Sequence, residues 1–385
     1  MRATRFARHH NNKPARCAGH YEERQMPLPE PNAAVSSFDN VPGAFALSRR
    51  GFLAGLGAFG AGALLPGCTT TSSLSGKPHR IDVHHHFVSP TYSASLKARG
   101  QGHIAWSVQK SIEDMDKSGI ATSLTSLIQP AMAIGDVPGN RRLSREANEY
   151  AAKIARDYPG RFGSYACIPF TDTEGALKEI EYALDTLKAE GFCLMTSYGS
   201  KYLGDPAFFP VLEELNRRKA IVYVHPLAPQ CCAAILPDVA VATIEYAVDS
   251  TRTMASLVFG GGAAKYPDIR WIFSHSGGTT PFLLSRFIRQ EQDMKGEAIK
   301  RMPNGVMHEY RKFYYETAQG HHAGALDALL RIIPVSQILY GTDFPYRDGA
   351  EVNDGLGSYR FSSADRMAID RDNALRLMPR LNDFS

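Results

Sequence analysis

His84 and His86 stand two residues apart in Asp82-Val83-His84-His85-His86, just after the first ordered apolar run of the chain. In an extended segment, residues two apart point to the same side, so both imidazoles can converge on one ion while His85 faces away. Neutral imidazole is a good donor to zinc and similar divalent metals. Three further candidates each close an apolar run of their own: His225 in Ile221-Val222-Tyr223-Val224-His225-Pro226, His275 in Ile269-Arg270-Trp271-Ile272-Phe273-Ser274-His275, and Asp343 after Gln337-Ile338-Leu339-Tyr340. Taken singly, His225 could cap a strand and Asp343 could start a turn. Taken together, they ask for a fold that gathers the carboxyl ends of several strands.

The pattern of elements supplies such a fold. From residue 80 onward, short apolar runs alternate with helical stripes. Strands are expected at 80–83, 121–127, 161–168 and 192–196, then from 221 and from 269, and last at 313–317 and 336–340. Helices are expected between them, at 112–118, 143–158, 173–189, 208–218, 249–259, from 281, and at 322–333, with helical turns over 362–381. Eight strand–helix units in about 300 residues predict a (β/α)8 TIM barrel, whose chemistry sits at the strand C-termini. An open doubly wound sheet would want a glycine-rich phosphate loop after an early strand, and none is present. Gly260-Gly261-Gly262 follows a helix and reads as a turn.

The run Phe192-Cys193-Leu194-Met195-Thr196 carries no lysine that could be carbamylated to bridge two metals. A mononuclear site follows, with His84, His86, His225 and Asp343 as ligands and room for water or substrate. His275 then stands beside the metal without binding it. His85, His103, His308, His321 and His322 read as structural or surface residues, with His321 or His322 close enough to the seventh strand to reach the pocket rim. Arg252 has two readings: its guanidinium could grip a substrate carboxylate in a bidentate fork, or it could form an ion pair with a neighbouring element.

The 385 residues, 44% of them hydrophobic, suffice for a sizeable core. The formal charge of +4 arises in residues 1–25, where six Arg or Lys face Glu22 and Glu23, so the remainder is balanced. That balance argues against nucleic acid as a partner. Ser48-Arg49-Arg50-Gly51-Phe52-Leu53 leads into the uncharged stretch 51–65, too short for a membrane span and suited to a twin-arginine export signal. Residues 1–78 are therefore expected to be export signal and flexible linker, with Met26 an alternative start, and 79–385 the barrel. The destination would be periplasmic or extracellular. Leu65-Pro66-Gly67-Cys68 resembles a lipoprotein box, so Cys68 is either a lipid anchor or part of a plainly cleaved segment. Cys167 and Cys193 lie in apolar runs as core residues, Cys231 and Cys232 are adjacent in a loop, and no disulfide framework is apparent.

Asp82-Val83-His84-His85-His86, Gly204-Asp205-Pro206, Val224-His225-Pro226, Ser274-His275-Ser276-Gly277-Gly278 and Tyr340-Gly341-Thr342-Asp343-Phe344-Pro345 together span 80–345. On these pieces the chain resembles the amidohydrolase-related decarboxylases, which include the aminocarboxymuconate semialdehyde, gamma-resorcylate and 6-methylsalicylate enzymes. The resemblance implies that His84, His86, His225 and Asp343 hold one divalent ion, zinc or manganese, and that His275 lies near the substrate. It implies a homodimer, with no substrate-binding arginine placed by motif. It also implies a small carboxylic acid as substrate, an ortho-hydroxybenzoate or a muconate-like acid, decarboxylated after Asp343 or His275 protonates the ring carbon. Two alternatives stay open: the same centre could hydrolyse a lactone, ester or amide, or the chain could be an exported metal-binding scaffold.

Overall fold

The computed structural model describes residues 78–133, 137–229, 231–232, 235–236 and 238–384. The expectations placed on residues 1–77, among them the twin-arginine segment and Cys68, lie outside these residues.

Eight parallel strands follow one another around the sheet in chain order: β1 (Arg80–Phe87), β2 (Ile120–Leu127), β3 (Phe162–Ala166), β4 (Gly191–Met195), β5 (Ile221–His225), β6 (Arg270–Phe273), β7 (Tyr314–Glu316) and β8 (Ile338–Leu339). Each pairs with the next in sequence. The sheet closes on itself where the segment after β8 runs along β1. Val83 N–H donates to Tyr340 O at 2.9 Å, Asp343 N–H to His84 O at 2.8 Å and His86 N–H to Phe344 O at 2.7 Å. The TIM barrel expected from the sequence is thus the observed fold.

Barrel strands covered by helices are buried on both faces and therefore read as continuous apolar runs. Ile221, Val222, Tyr223 and Val224 of β5 are all buried. The helix Val137–Asp157 buries Leu143, Ala147, Ala151 and Ile154, the stripe its sequence spacing sets. Near the site, the carboxyl group of Asp249 accepts from Tyr202 Oη at 2.7 Å and from Thr196 Oγ1. Thr196 in turn donates its N–H to His225 O and accepts the N–H of Leu227. This chain of bonds fixes the turn that carries His225.

Several boundaries differ from the expected ones, each for a physical reason. β1 runs four residues past Val83, because every polar side chain in its second half finds a buried partner. The helix Val241–Phe259 begins eight residues before Asp249, in a stretch whose Val241, Thr243 and Ile244 have weak intrinsic helix preference. The helix from Thr173 stops at Glu181 and gives way to a π-helical turn, Tyr182–Thr186. β8 is only two residues long, since its continuation bonds to β1 outside a regular ladder. Cys231 and Cys232, expected as adjacent loop residues, form a disulfide with each other. Such a bond closes no loop, so it is not a framework. Cys167 and Cys193 are free and buried, as expected.

Candidate metal centre

His84, His86, His225 and Asp343 are buried together at the C-terminal end of the barrel, each offering one ligand atom within 4.8 Å of the others. The imidazole orientations are set by what their other nitrogens hold. His84 Nδ1 donates to Glu316 Oε1 at 2.9 Å, His225 Nδ1 to Pro226 O at 2.9 Å, and His86 Nδ1 faces Ser126 Oγ at 3.2 Å. With each Nδ1 engaged, the Nε2 lone pair is left for a cation. His84 Nε2 and His86 Nε2 lie 3.1 Å apart, and each is 3.1 Å from Asp343 Oδ1. That oxygen accepts no well-directed hydrogen bond although it is buried. An orphaned carboxylate oxygen facing ring nitrogens is satisfied by a positive ion, so the donor set fits one divalent metal.

The electrostatics agree. Burial by itself would drive the His84 proton off, yet the carboxylates of Asp343 and Glu316 overcome it and hold this imidazole up at about 10. Burial keeps His86 below its ordinary value against the pull of Asp343. Burial and the neighbouring imidazoles push His225 well below its own. Asp343 is held well below the usual carboxylate range: burial opposes ionisation, but charge on His84 and the close approach of the His275, His84 and His86 rings outweigh it. In the metal-free fold at pH 7, one ligand therefore carries a proton that a cation must displace. Metal binding is expected to release about one proton below pH 10, its apparent affinity rising about tenfold per pH unit. Calorimetry in buffers of different ionisation enthalpy checks this; no net release would contradict a protonated His84.

Glu316 is one of two site residues that sequence reasoning missed, the other being Gln319 beside Asp343. It is fully buried at the end of β7. Its Oε1 accepts from His84 Nδ1 and from His275 N–H at 2.6 Å, and its Oε2 from Ala318 N–H. With both oxygens occupied, Glu316 orients ligands rather than competing for the ion. The available signal was a carboxylate inside the apolar run Tyr314-Tyr315-Glu316, since a buried charge needs partners. Asp82 plays a comparable part: its carboxyl group accepts from the N–H groups of His84 and Thr342, from Thr342 Oγ1 and from His85 Nδ1. His85 faces away from the centre, its Nε2 bonded to Ser111 Oγ.

His275 Nε2 stands 3.4 Å from Asp343 Oδ2, and Gln319 Nε2 donates to the same oxygen. His275, Ser276, Gln319 and Asp343 all have positive φ, between 52° and 69°. Side chains other than glycine hold this backbone only at a cost of order 1 kcal/mol or more each, and such clusters mark functional sites. Beside them opens a cavity of about 220 Å³, lined by Tyr246, His275, Gln319, His322, the hydroxyl residues Thr243 and Ser276, and otherwise apolar residues and glycine. Arg252 lies elsewhere on the helix Val241–Phe259, 3.7 Å from both Glu245 and Asp249, and does not line this cavity.

The chain is similar to several known proteins. Decarboxylase yanB of Aspergillus niger is 35% identical over 324 residues, covering 78% of this chain and 88% of its own. The 6-methylsalicylic acid decarboxylase acuB of Aspergillus aculeatus is 33% identical over 322 residues, covering 78% of this chain and 96% of its own. Among solved structures, a dihydroxybenzoic acid decarboxylase from Polaromonas, with bound manganese and the inhibitor 2-nitroresorcinol, superposes with a TM-score of 0.69 at 23% identity, over 79% of this chain and 97% of its own. The sequence profile of the Amidohydrolase family matches residues 81–380, from the first barrel strand to the last helical turns, and the chain belongs to that family.

Proposed function

We propose that the protein is a metal-dependent, non-oxidative decarboxylase of a small aromatic acid, an ortho-hydroxybenzoate. The observation that carries this reading is the buried three-imidazole, one-carboxylate centre with His275 and Gln319 beside it, in a chain 35% identical to a decarboxylase. A divalent ion held by His84, His86, His225 and Asp343 would draw charge from an adjacent carboxylate and hydroxyl. Zinc is the ion we expect on three imidazoles and one carboxylate; the Polaromonas relative carries manganese, and elemental analysis of the purified protein decides between them.

The protein's own residues manage the proton. A proton held between His275 Nε2 and Asp343 Oδ2 passes to the ring carbon bearing the carboxylate. The bond to that carboxylate then breaks, its electron pair restores the aromatic ring, and CO2 leaves. Atoms and electrons balance without an oxidant. Gln319 keeps Asp343 Oδ2 in place for this transfer. No observation favours the hydrolytic alternative, and the two relatives described are both decarboxylases.

The test is a panel of hydroxybenzoates and aryl lactones offered to metal-loaded protein, with CO2 and ring absorbance followed. Release of CO2 from ortho-hydroxybenzoates is expected. Lactone opening with no CO2 from any acid would overturn the reading.

A further inference from the structure

The cavity beside His275 is larger and less polar than proton transfer requires. It begins at His275 and Gln319, which touch Asp343, and runs outward between three helices. Its walls are Ala242 and Ala247 on Val241–Phe259, Pro281 and Phe282 on Thr280–Met294, and Ala325 and Ala328 on Ala323–Leu330. Gly278 and Gly320 also line it. A Cβ on Gly278 would collide with Ala247 O, and one on Gly320 with the Ser276 side chain. Glycine at these two positions lets the turn after β6 pack closely, and small residues along the walls leave the channel open. At its outer end Phe282 is 74% exposed. Among the described residues no lysine, arginine or carboxylate lines the channel, and His322 Nδ1 is occupied as acceptor of the Ala325 N–H.

We infer that this channel is a subsite for an uncharged alkyl substituent on the aromatic ring, so that the preferred substrates are alkyl-substituted hydroxybenzoates with a chain longer than methyl. The inference rests on the decarboxylase reading above for the ring and its carboxylate, and on the channel lining for the chain. A carboxylate on the first carbons of the substituent would lie among Ala247, Pro281 and Ala328 without a cationic partner and is disfavoured.

Two measurements test it. The first uses metal-loaded protein and 2-hydroxybenzoates bearing methyl, propyl or pentyl at C6. Each added methylene is expected to raise kcat/KM about fourfold, by burial of apolar surface. The variant A328L should bring the pentyl-to-methyl ratio down towards one. The second uses metal-free protein and the corresponding 3-alkylphenols, whose Kd should fall about fourfold per methylene without any turnover. Decarboxylation of the methyl compound with no gain from propyl or pentyl overturns the subsite alone. A chain-length trend in phenol binding with no CO2 from any acid supports the subsite and overturns the decarboxylase reading. A flat trend in both measurements removes the subsite outright.

Discussion

Replacing His275 with asparagine is expected to lower kcat for decarboxylation about 10²- to 10⁴-fold while the metal content stays unchanged. The substitution is chosen for the backbone. His275 sits at φ 52°, a conformation that asparagine adopts more readily than other non-glycine residues. Its N–H bond to Glu316 is preserved, because it belongs to the main chain. What H275N removes is the ring nitrogen that faces Asp343 Oδ2 at 3.4 Å. Single-turnover kinetics and metal analysis on the same sample separate the outcomes. Full activity would remove His275 from the chemistry, and lost metal would make it a ligand.

The second large effect is expected at Glu316. E316Q should raise the metal Kd by about 10- to 100-fold, the usual penalty for disturbing the partner of a ligand histidine. The wild-type carboxylate accepts from His84 Nδ1, His275 N–H and Ala318 N–H. An amide turned to keep the His84 bond must direct its NH2 group at the Ala318 N–H, donor against donor. That mismatch costs about 1–3 kcal/mol in a buried setting. The variant also removes one of the two charges that hold the His84 proton, so it should release less proton on loading than the parent does. Chelator competition reads the affinity, and an unchanged Kd would reduce Glu316 to a packing role.

What was legible in the chain and what was not follows from how each residue is held. His84 and His86 were readable because strand alternation predicts a common side, and both reach the centre although the pairing of β1 with β2 shifts register between Asp82 and His85. His225 and Asp343 were readable because each closes an apolar run, and a barrel turns run endings into a common location. Glu316 was hidden because its work is done on other side chains, and no spacing within the sequence links it to His84. The end of β1 was misjudged for a related cause. Three consecutive histidines look like a loop until Asp82, Ser111, Ser126 and Glu316 are seen to satisfy them. The start of the helix at Val241 was obscured by β-branched residues, which tertiary packing overrides.

The closure between β1 and the segment after β8 has a consequence for biogenesis. Two ligands come from the first barrel strand and one from just after the last, and the pair meets the third only when Asp343 N–H reaches His84 O. A nascent chain still on the ribosome before residue 343 can present imidazoles but not the completed cage. Acquisition of the ion should therefore coincide with the last step of cylinder assembly, acting as a clasp between the two ends. Chains cut short upstream of that residue should neither retain metal nor resist proteolysis as the full-length protein does.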